Sequence, residues 1–588
     1  MVYKISDNIL SPLGQTTEEN FQQVYRGNSS IQTYIDKWHI AHPFAASLFS
    51  DKERESMIVD DMTFFESLAF LSAKKAIDNC SIDIKSPRTL LIMSSTKGNI
   101  DLLSAQNATL LDKILLGNSA KKISQRLGLT TTPFTVCNAC ISGLSAIIFA
   151  KRLLEATTYD TAIVVGCEAQ SRFIVSGFQS LQALSSEPCR PFDIDRIGLN
   201  LGEAASTIIL STQKPDTEHF WSITEEKISQ DAYHISTPDK TAKGSCRALK
   251  GVTQNIDLEQ IAHINLHGTA TMYNDQMEAI AIDSTAMLST PTNALKGYFG
   301  HTMGAAGVLE TVLTMKALDN EVILGTRGFA ELGVSKPIDI SNQHKKTDKK
   351  SFIKLISGFG GGNATILAEM DKIEIKSTKE QRELKITNRI KISPQAVEID
   401  GELIKTNTSG NELLTEIYKT HIGDYPKFYK MDYLSRLGFI ASELLLQAEK
   451  ESSTDCSKSR AIVFCNCSSS IASDKEFIRS IEEEYPSPSV FIYTLPNIVT
   501  GEVAIRQKYN GETSFFILPE RDEEMIFQAI NTAFADPHIE SVLGGFIDYI
   551  DENNFQADIF IIKLKKTIKH NGRFGLKTKT TDNQCTKP

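Results

Sequence analysis

Residues 1 to about 370 alternate short apolar runs with stretches of helical period. Runs such as Thr89-Leu-Leu-Ile-Met93, Thr161-Ala-Ile-Val-Val165 and Ser206-Thr-Ile-Ile-Leu210 are continuously apolar, as strands buried on both faces are. Between them, Phe64 to Ala76 and Leu144 to Leu154 read as helices. Such alternation predicts an α/β fold with helices packed on largely parallel sheets. From residue 371 to about 412 the chain turns polar and repetitive in Lys, Glu, Thr and Ile, which reads as a linker with at most a short strand of its own. A second α/β-like stretch fills 413–566, and a basic tail occupies 567–588.

The second stretch reads as a faint copy of the first half of the first. A helix from Met431 to Gln447 precedes the apolar Arg460-Ala-Ile-Val-Phe464, as the helix ending near Asn79 precedes the strand at Thr89. Phe515-Phe-Ile-Leu518, the helix Met525 to Phe534 and the strand at Ser541 then follow as Phe134-Thr-Val136, its helix and the strand at Thr161 do. Most of these landmarks lie roughly 370–382 residues apart, which predicts an internal repeat.

Hydrophobic residues make up 41% and charged residues 23% of 588, the balance of a soluble globular protein. No apolar run is long enough to span a membrane, and no apolar core follows Met1 as in a signal peptide. Lys and Arg number 62 against 72 Asp and Glu, so the chain lacks the field of a nucleic-acid binder. Ten cysteines without an export signal read as reduced cytoplasmic thiols.

Four motifs carry candidate chemistry. Cys140 stands in Phe134-Thr-Val-Cys-Asn-Ala-Cys-Ile-Ser-Gly-Leu144, just before an apolar helix. Helix-start N–H groups and the helix dipole would lower its pKa and favour the thiolate. A lone cysteine there also fits a small buried hydrophobe, and Cys137-x-x-Cys140 fits a redox or zinc pair, although no second pair or nearby His completes a metal set. His267, in His267-Gly-Thr-Ala-Thr271, ends an apolar strand, where α/β ligands bind. Asn274, Asp275 and Glu278 open the next helix. His301 follows in Lys296-Gly-Tyr-Phe-Gly-His301, ahead of a small-residue helix. Last, Ile356-Ser-Gly-Phe-Gly-Gly-Gly-Asn363 exposes backbone N–H groups that could bind an anion or an oxyanion. It is neither of the nucleotide-binding glycine patterns.

Together these motifs resemble the elongating β-ketoacyl-[acyl carrier protein] synthases of the thiolase superfamily, over residues 1 to about 370. The intervening Arg190-Pro-Phe-Asp193, Asp195-Arg196 and Gly202-Glu203-Ala204 match as well. The resemblance implies a five-layered αβαβα fold of two related halves, 1–215 with the nucleophile and 216–370 with the histidines. It implies decarboxylative Claisen condensation of an enzyme-bound acyl group with malonyl-carrier protein, in fatty-acid or polyketide and polyene biosynthesis. Cys140 would be the nucleophile, with His267 and His301 as hydrogen-bond donors to the enolate. Lys296 and Glu310 would hold the histidine loop, Asp275 would support it, and Thr269 and Thr271 would bond the phosphopantetheine arm. The N–H groups of Cys140 and Phe359 would form the oxyanion hole, and Phe359 would gate the pocket.

No metal and no resident cofactor are implied, since phosphopantetheine arrives on the acyl carrier protein partner. A malonyl-thioester decarboxylase and a non-catalytic carrier-protein-binding scaffold are the alternatives. Ser357 and Gly361-Gly362 depart from the family's usual residues at the gate, and the stretch from Ile223 to Ala262 is short; both bear on substrate preference. In the second module no cysteine stands near Pro519-Glu-Arg-Asp-Glu523, where the nucleophile would fall. That module resembles a silent synthase half akin to a chain-length factor. The expected assembly is a homodimer, or a pseudo-dimer through the same synthase fold.

Overall fold

The structure, a computed structural model, describes residues 1–104, 111–372, 383–449 and 460–564. Five strands build the first half: β1 (Val2–Leu10), β2 (Thr89–Ser94), β3 (Phe134–Val136), β4 (Thr161–Glu168) and β5 (Ala204–Ser211). They lie in the order β3-β2-β4-β5-β1, with β2 parallel to β3 and β4, and β5 antiparallel to β4 and β1. The second half repeats this with β6 (Trp221–Gln230), β7 (His263–Asn265), β8 (Thr292–Asn293), β9 (Ser351–Gly358) and β10 (Gly362–Met370). Their order is β8-β7-β9-β10-β6, with the same pattern of directions.

Helices α1 (Phe64–Asp78) and α2 (Leu116–Leu127) cover the outer face of the first sheet, and α3 (Ser142–Glu155) lies between the sheets. Helix α4 (Met272–Ser284), with Lys243–Thr253, covers the outer face of the second sheet, and α5 (Ala306–Asp319) joins α3 in the middle. This is the expected five-layered fold. Local sequence sets the ends: Thr63 and Glu66 form a reciprocal capping box on α1. Helix α3 is buried at every position from Ser142 to Leu154, as a helix must be that has a sheet on either side.

The second module contains β11 (Leu384–Ser393), β12 (Ala396–Ile399), β13 (Glu402–Ile404), β14 (Arg460–Asn466), β15 (Thr513–Ile517), β16 (Ser541–Asp551) and β17 (Asn554–Leu564). The order β15-β14-β16-β17-β11 repeats the five-strand pattern a third time. Helices α6 (Tyr433–Ala448), α7 (Ile498–Gln507) and α8 (Glu523–Thr532) stand where α1, α2 and α3 stand in the first.

The reading of 371–412 as a linker therefore needs correcting over residues 384–404, which form three strands. Strand β11 is the counterpart of β1 and carries a register shift between Ile386 and Asn388, as β1 does between Lys4 and Ser6. Its lysines and threonines hid it, because β11 has one largely exposed face. The tail 567–588 lies outside the described residues.

The modules are joined through the edge of β3. Strand β15 pairs antiparallel with it, Phe516 opposite Val136 and Ile517 opposite Thr135, so the first and third sheets are continuous. Asn138 Oδ1 accepts the Phe515 N–H at 2.7 Å. Two buried ion pairs cross the seam, Lys97–Asp474 at 2.5 Å and Arg152–Glu512 at 2.6 Å. No helix among the described residues is long and apolar enough to cross a membrane.

Candidate active site

Cys140 lies in a tight turn, Ala139–Ile141, between β3 and α3. Ala139 is left-handed at φ +48°, a conformation that costs a non-glycine residue about 1 kcal/mol or more and marks positions fixed by their surroundings. The fixing bonds are short: the Asn138 N–H donates to Ser142 Oγ at 2.8 Å, and Ser142 Oγ donates to the Ala139 carbonyl at 2.6 Å. Gly143 lets α3 touch the histidine segment, since a Cβ there would stand 2.9 Å from the Gly304 carbonyl.

The expected fall in the Cys140 pKa is not what the site produces. Burial pushes the thiol up to about 11, against the opposing pull of the Lys296 ammonium and the N–H groups of Phe359 and of Cys140 itself. Desolvation of the thiolate outweighs the helix-start dipole, because the sulfur is enclosed. Those two N–H groups nonetheless lie against the sulfur.

His267 follows the short strand β7, and His301 precedes the turn into α5. Their rings stand edge to face with centroids 5.0 Å apart. The cysteine sulfur and a nitrogen of each ring all lie within 4.8 Å of one another. The Met303 N–H donates to His301 Nδ1 at 3.2 Å, which places the ring proton on Nε2, and Nε2 is buried without a partner. Burial first, and then the Lys296 ammonium, holds both imidazoles far below their ordinary pKa and therefore neutral.

The His267 loop is clamped from behind. Glu278 accepts the N–H groups of His267 and Gly268 at 2.6 and 2.8 Å. Lys296 Nζ donates to the His267 carbonyl at 2.6 Å and to Glu310 at 2.8 Å. A second lysine, absent from the motif reading, sits on the other oxygen of Glu310: Lys354 of β9, which also donates to the Leu266 carbonyl at 3.3 Å. It is fully buried. Burial, with Lys296 adding to it, pushes Lys354 down to about 8 even against the pull of Glu310. Burial alone would raise the Glu310 carboxyl, but the two ammonium groups more than offset it and hold it low.

Asp275 accepts the Phe192 N–H at 2.7 Å and lies 3.9 Å from Arg196, so it ties the Arg190–Asp193 loop to α4. Thr269 and Thr271 pair hydroxyl to hydroxyl at 2.9 Å. Phe359 stacks on Phe178 with ring centroids 6.3 Å apart. Beside Cys140 remains a cavity of about 20 Å³, room for about one water. Its walls include Phe178, Met303 and Phe359 of the first module and Phe491, Thr494 and Leu495 of the second. No sequence signal marked those last three, two ordinary apolar positions of the copy and a threonine bonded to its own backbone.

A thiol and two imidazoles are also donors that zinc accepts. Glu278 and Glu310, the carboxylates behind them, are committed to backbone N–H groups and lysines, so they supply no fourth ligand.

The family model for the N-terminal domain of beta-ketoacyl synthase matches residues 5–215, and that for its C-terminal domain matches residues 222–330. A 3-oxoacyl-[acyl-carrier-protein] synthase 2 of Vibrio harveyi is 25% identical over 397 residues, 61% of this chain and 96% of its own. Among solved structures, a keto synthase–chain length factor named PfaC aligns with 96% of this chain and 78% of its own, with a TM-score of 0.74 at 14% identity. A ketosynthase from Xenorhabdus doucetiae, solved in complex with its chain length factor, aligns with 63% of this chain and 97% of its own, with a TM-score of 0.53 at 24% identity.

Proposed function

The chain belongs, through residues 5–330, to the beta-ketoacyl synthase family, and from that premise we propose that it condenses an acyl group held on Cys140 with malonyl-carrier protein. The observation that carries this is the clustering of one thiol and two neutral imidazoles within 4.8 Å of one another, with two backbone N–H groups at the sulfur.

In the first half-reaction the Cys140 sulfur attacks the acyl thioester of a carrier protein. The Cys140 and Phe359 N–H groups hold the oxyanion, and the carrier's sulfur leaves with the thiol proton. In the second, malonyl-carrier protein lies with its thioester oxygen between His267 and His301. The bond to the carboxylate breaks, carbon dioxide leaves, and its electron pair becomes an enolate that the ring N–H groups stabilise. Neutral imidazoles suit this role, because they donate without surrendering a proton. The enolate carbon then attacks the acyl-cysteine carbonyl, and the C–S bond breaks to release the Cys140 thiolate, which takes up a proton from water. Thr269 and Thr271 bond the phosphopantetheine arm.

The second module takes the place of a partner subunit. Arg521 stands at about the position of the nucleophile and binds Asp558 and Gln556 instead. Because β15 occupies the edge of β3, the working unit is a pseudo-dimer within one chain. The module's Phe491 and Leu495 wall the acyl cavity, the role of a chain-length factor.

Incubating the protein with a panel of acyl-carrier proteins and reading intact mass tests this. The expected result is an acyl-sized adduct that Cys140→Ala abolishes; no adduct from any donor would overturn it.

A further inference from the structure

The gating turn Gly358–Gly362 is strung between the two modules. At one end the Phe359 N–H faces the Cys140 sulfur. At the other, the Phe359 carbonyl accepts Asn497 Nδ2 of the second module at 2.9 Å. Asn497 is the residue that begins α7, yet its side chain makes no capping bond to its own helix, which is the usual use of an asparagine there. Its Oδ1 is buried without a partner. The side chain has thus given up its local bonds for a single bond across the seam.

The glycines of the turn are tied to their own module by backbone bonds, the Gly360 N–H to the Ile235 carbonyl at 2.6 Å and the Asp231 N–H to the Gly361 carbonyl at 2.8 Å, so the second module's side-chain bond falls on the Phe359 end. Gly360 and Gly361 are left-handed at φ +90° and +83°, a state glycine enters and leaves freely. A Cβ on Gly360 would meet Asn497 Nδ2 at 2.7 Å, and one on Gly501 of α7 would meet the Gly360 carbonyl at 2.6 Å. Glycines on both sides of the seam therefore allow the latch to close. Gln230 Nε2 joins in, bonding the Gly360 carbonyl at 2.9 Å and Thr513 of β15 at 3.1 Å.

We infer that Asn497 is a positioning residue of the first module's active site, a latch that keeps the Phe359 turn closed over Cys140 until an acyl chain displaces the ring. The catalytically silent module then acts on the chemistry as well as walling the pocket. This rests on the condensation reading, in which Phe359 separates the two half-reactions.

The test uses the full-length chain with Asn497→Asp, which keeps the shape but removes the donor, and Asn497→Ala. Two readouts are taken: iodoacetamide labelling of each cysteine, and carbon dioxide released from malonyl-carrier protein without acyl donor, as a ratio to condensation. Labelling of Cys140 should quicken about five-fold, the worth of one lost hydrogen bond of about 1 kcal/mol. Labelling of the buried Cys137 and Cys465 should stay as in the parent, and the uncoupled release should rise in step with Cys140. Unchanged Cys140 labelling would overturn the latch, as would labelling of all three cysteines rising together, the mark of general loosening. If the parent neither forms product nor releases carbon dioxide, the condensation reading falls, and the labelling arm still decides the latch.

Discussion

Replacing Glu310 by Gln should destabilise the protein far more than replacing either lysine that touches it. The buried cluster holds two ammonium groups, Lys296 and Lys354, on one carboxylate. Lys354→Met leaves a neutral Lys296–Glu310 pair, so the charge balance improves while the bonds to Glu310 and to the Leu266 carbonyl are lost. Glu310→Gln leaves two like charges in one enclosed site. Breaking a buried pair in this way costs about 3–5 kcal/mol. The pH dependence carries a sign that checks the same geometry. Lys354 sits at about 8, below its ordinary 10.5, so between those values the unfolded chain holds a proton that the folded chain has shed. Stability from this group therefore rises with pH across that window, by about 3 kcal/mol at 1.36 kcal/mol per unit. Below pH 8 the contribution is absent. Urea midpoints of the parent, Glu310→Gln and Lys354→Met at pH 7.5 and pH 10 measure both effects. The parent should gain on Lys354→Met as pH rises. A parent that loses ground, or a Glu310→Gln no weaker than Lys354→Met, would refute the charge count.

Light scattering on full-length protein should give one chain per particle, because β15 already fills the edge that a second copy would use. Removing residues 373–588 should expose β3 and yield dimers or aggregates; a soluble monomeric fragment would contradict the role assigned to the seam. Phe491→Ala should enlarge the cavity beside Cys140 and shift loading toward longer acyl donors, at a stability loss of about 3–5 kcal/mol. An unchanged donor profile would remove Phe491 from the acyl wall.

The fold of the first 370 residues was legible because parallel strands buried on both faces leave continuous apolar runs, as in Thr89–Met93 and Thr161–Val165. Cys140, His267 and His301 were legible because each stands in a motif whose neighbours serve the same turn. Two kinds of feature were hidden. Strand β11 is exposed along one face, so its alternating Lys, Thr and Asn read as linker although its partner β17 is buried over most of its length. Lys354 is a charged residue in a strand, and only the three-dimensional meeting with Glu310 explains why it is tolerated there. The thiol pKa was misread for a related reason: a helix start is visible in sequence, while the degree of enclosure is not.

That enclosure also explains why half a synthase fold suffices in the second module. In the complete module α3 is packed between two sheets and is buried all round. Its counterpart α8 buries Met525, Ile526, Ala529 and Ile530 but exposes Glu523, Glu524 and Asn531. The side that would have met a second sheet has become polar, so the copy stands without one. What the copy keeps is the set of elements that reach the first module: β15 on the edge of β3, α7 under the Phe359 turn, and the segment from Phe491 to Leu495 against the cavity. What it lacks is a cysteine at the nucleophile position, where Arg521 stands, and any histidine motif of its own. The retained surface is therefore the part that reaches the first module, and both modules supply walls of the cavity beside Cys140.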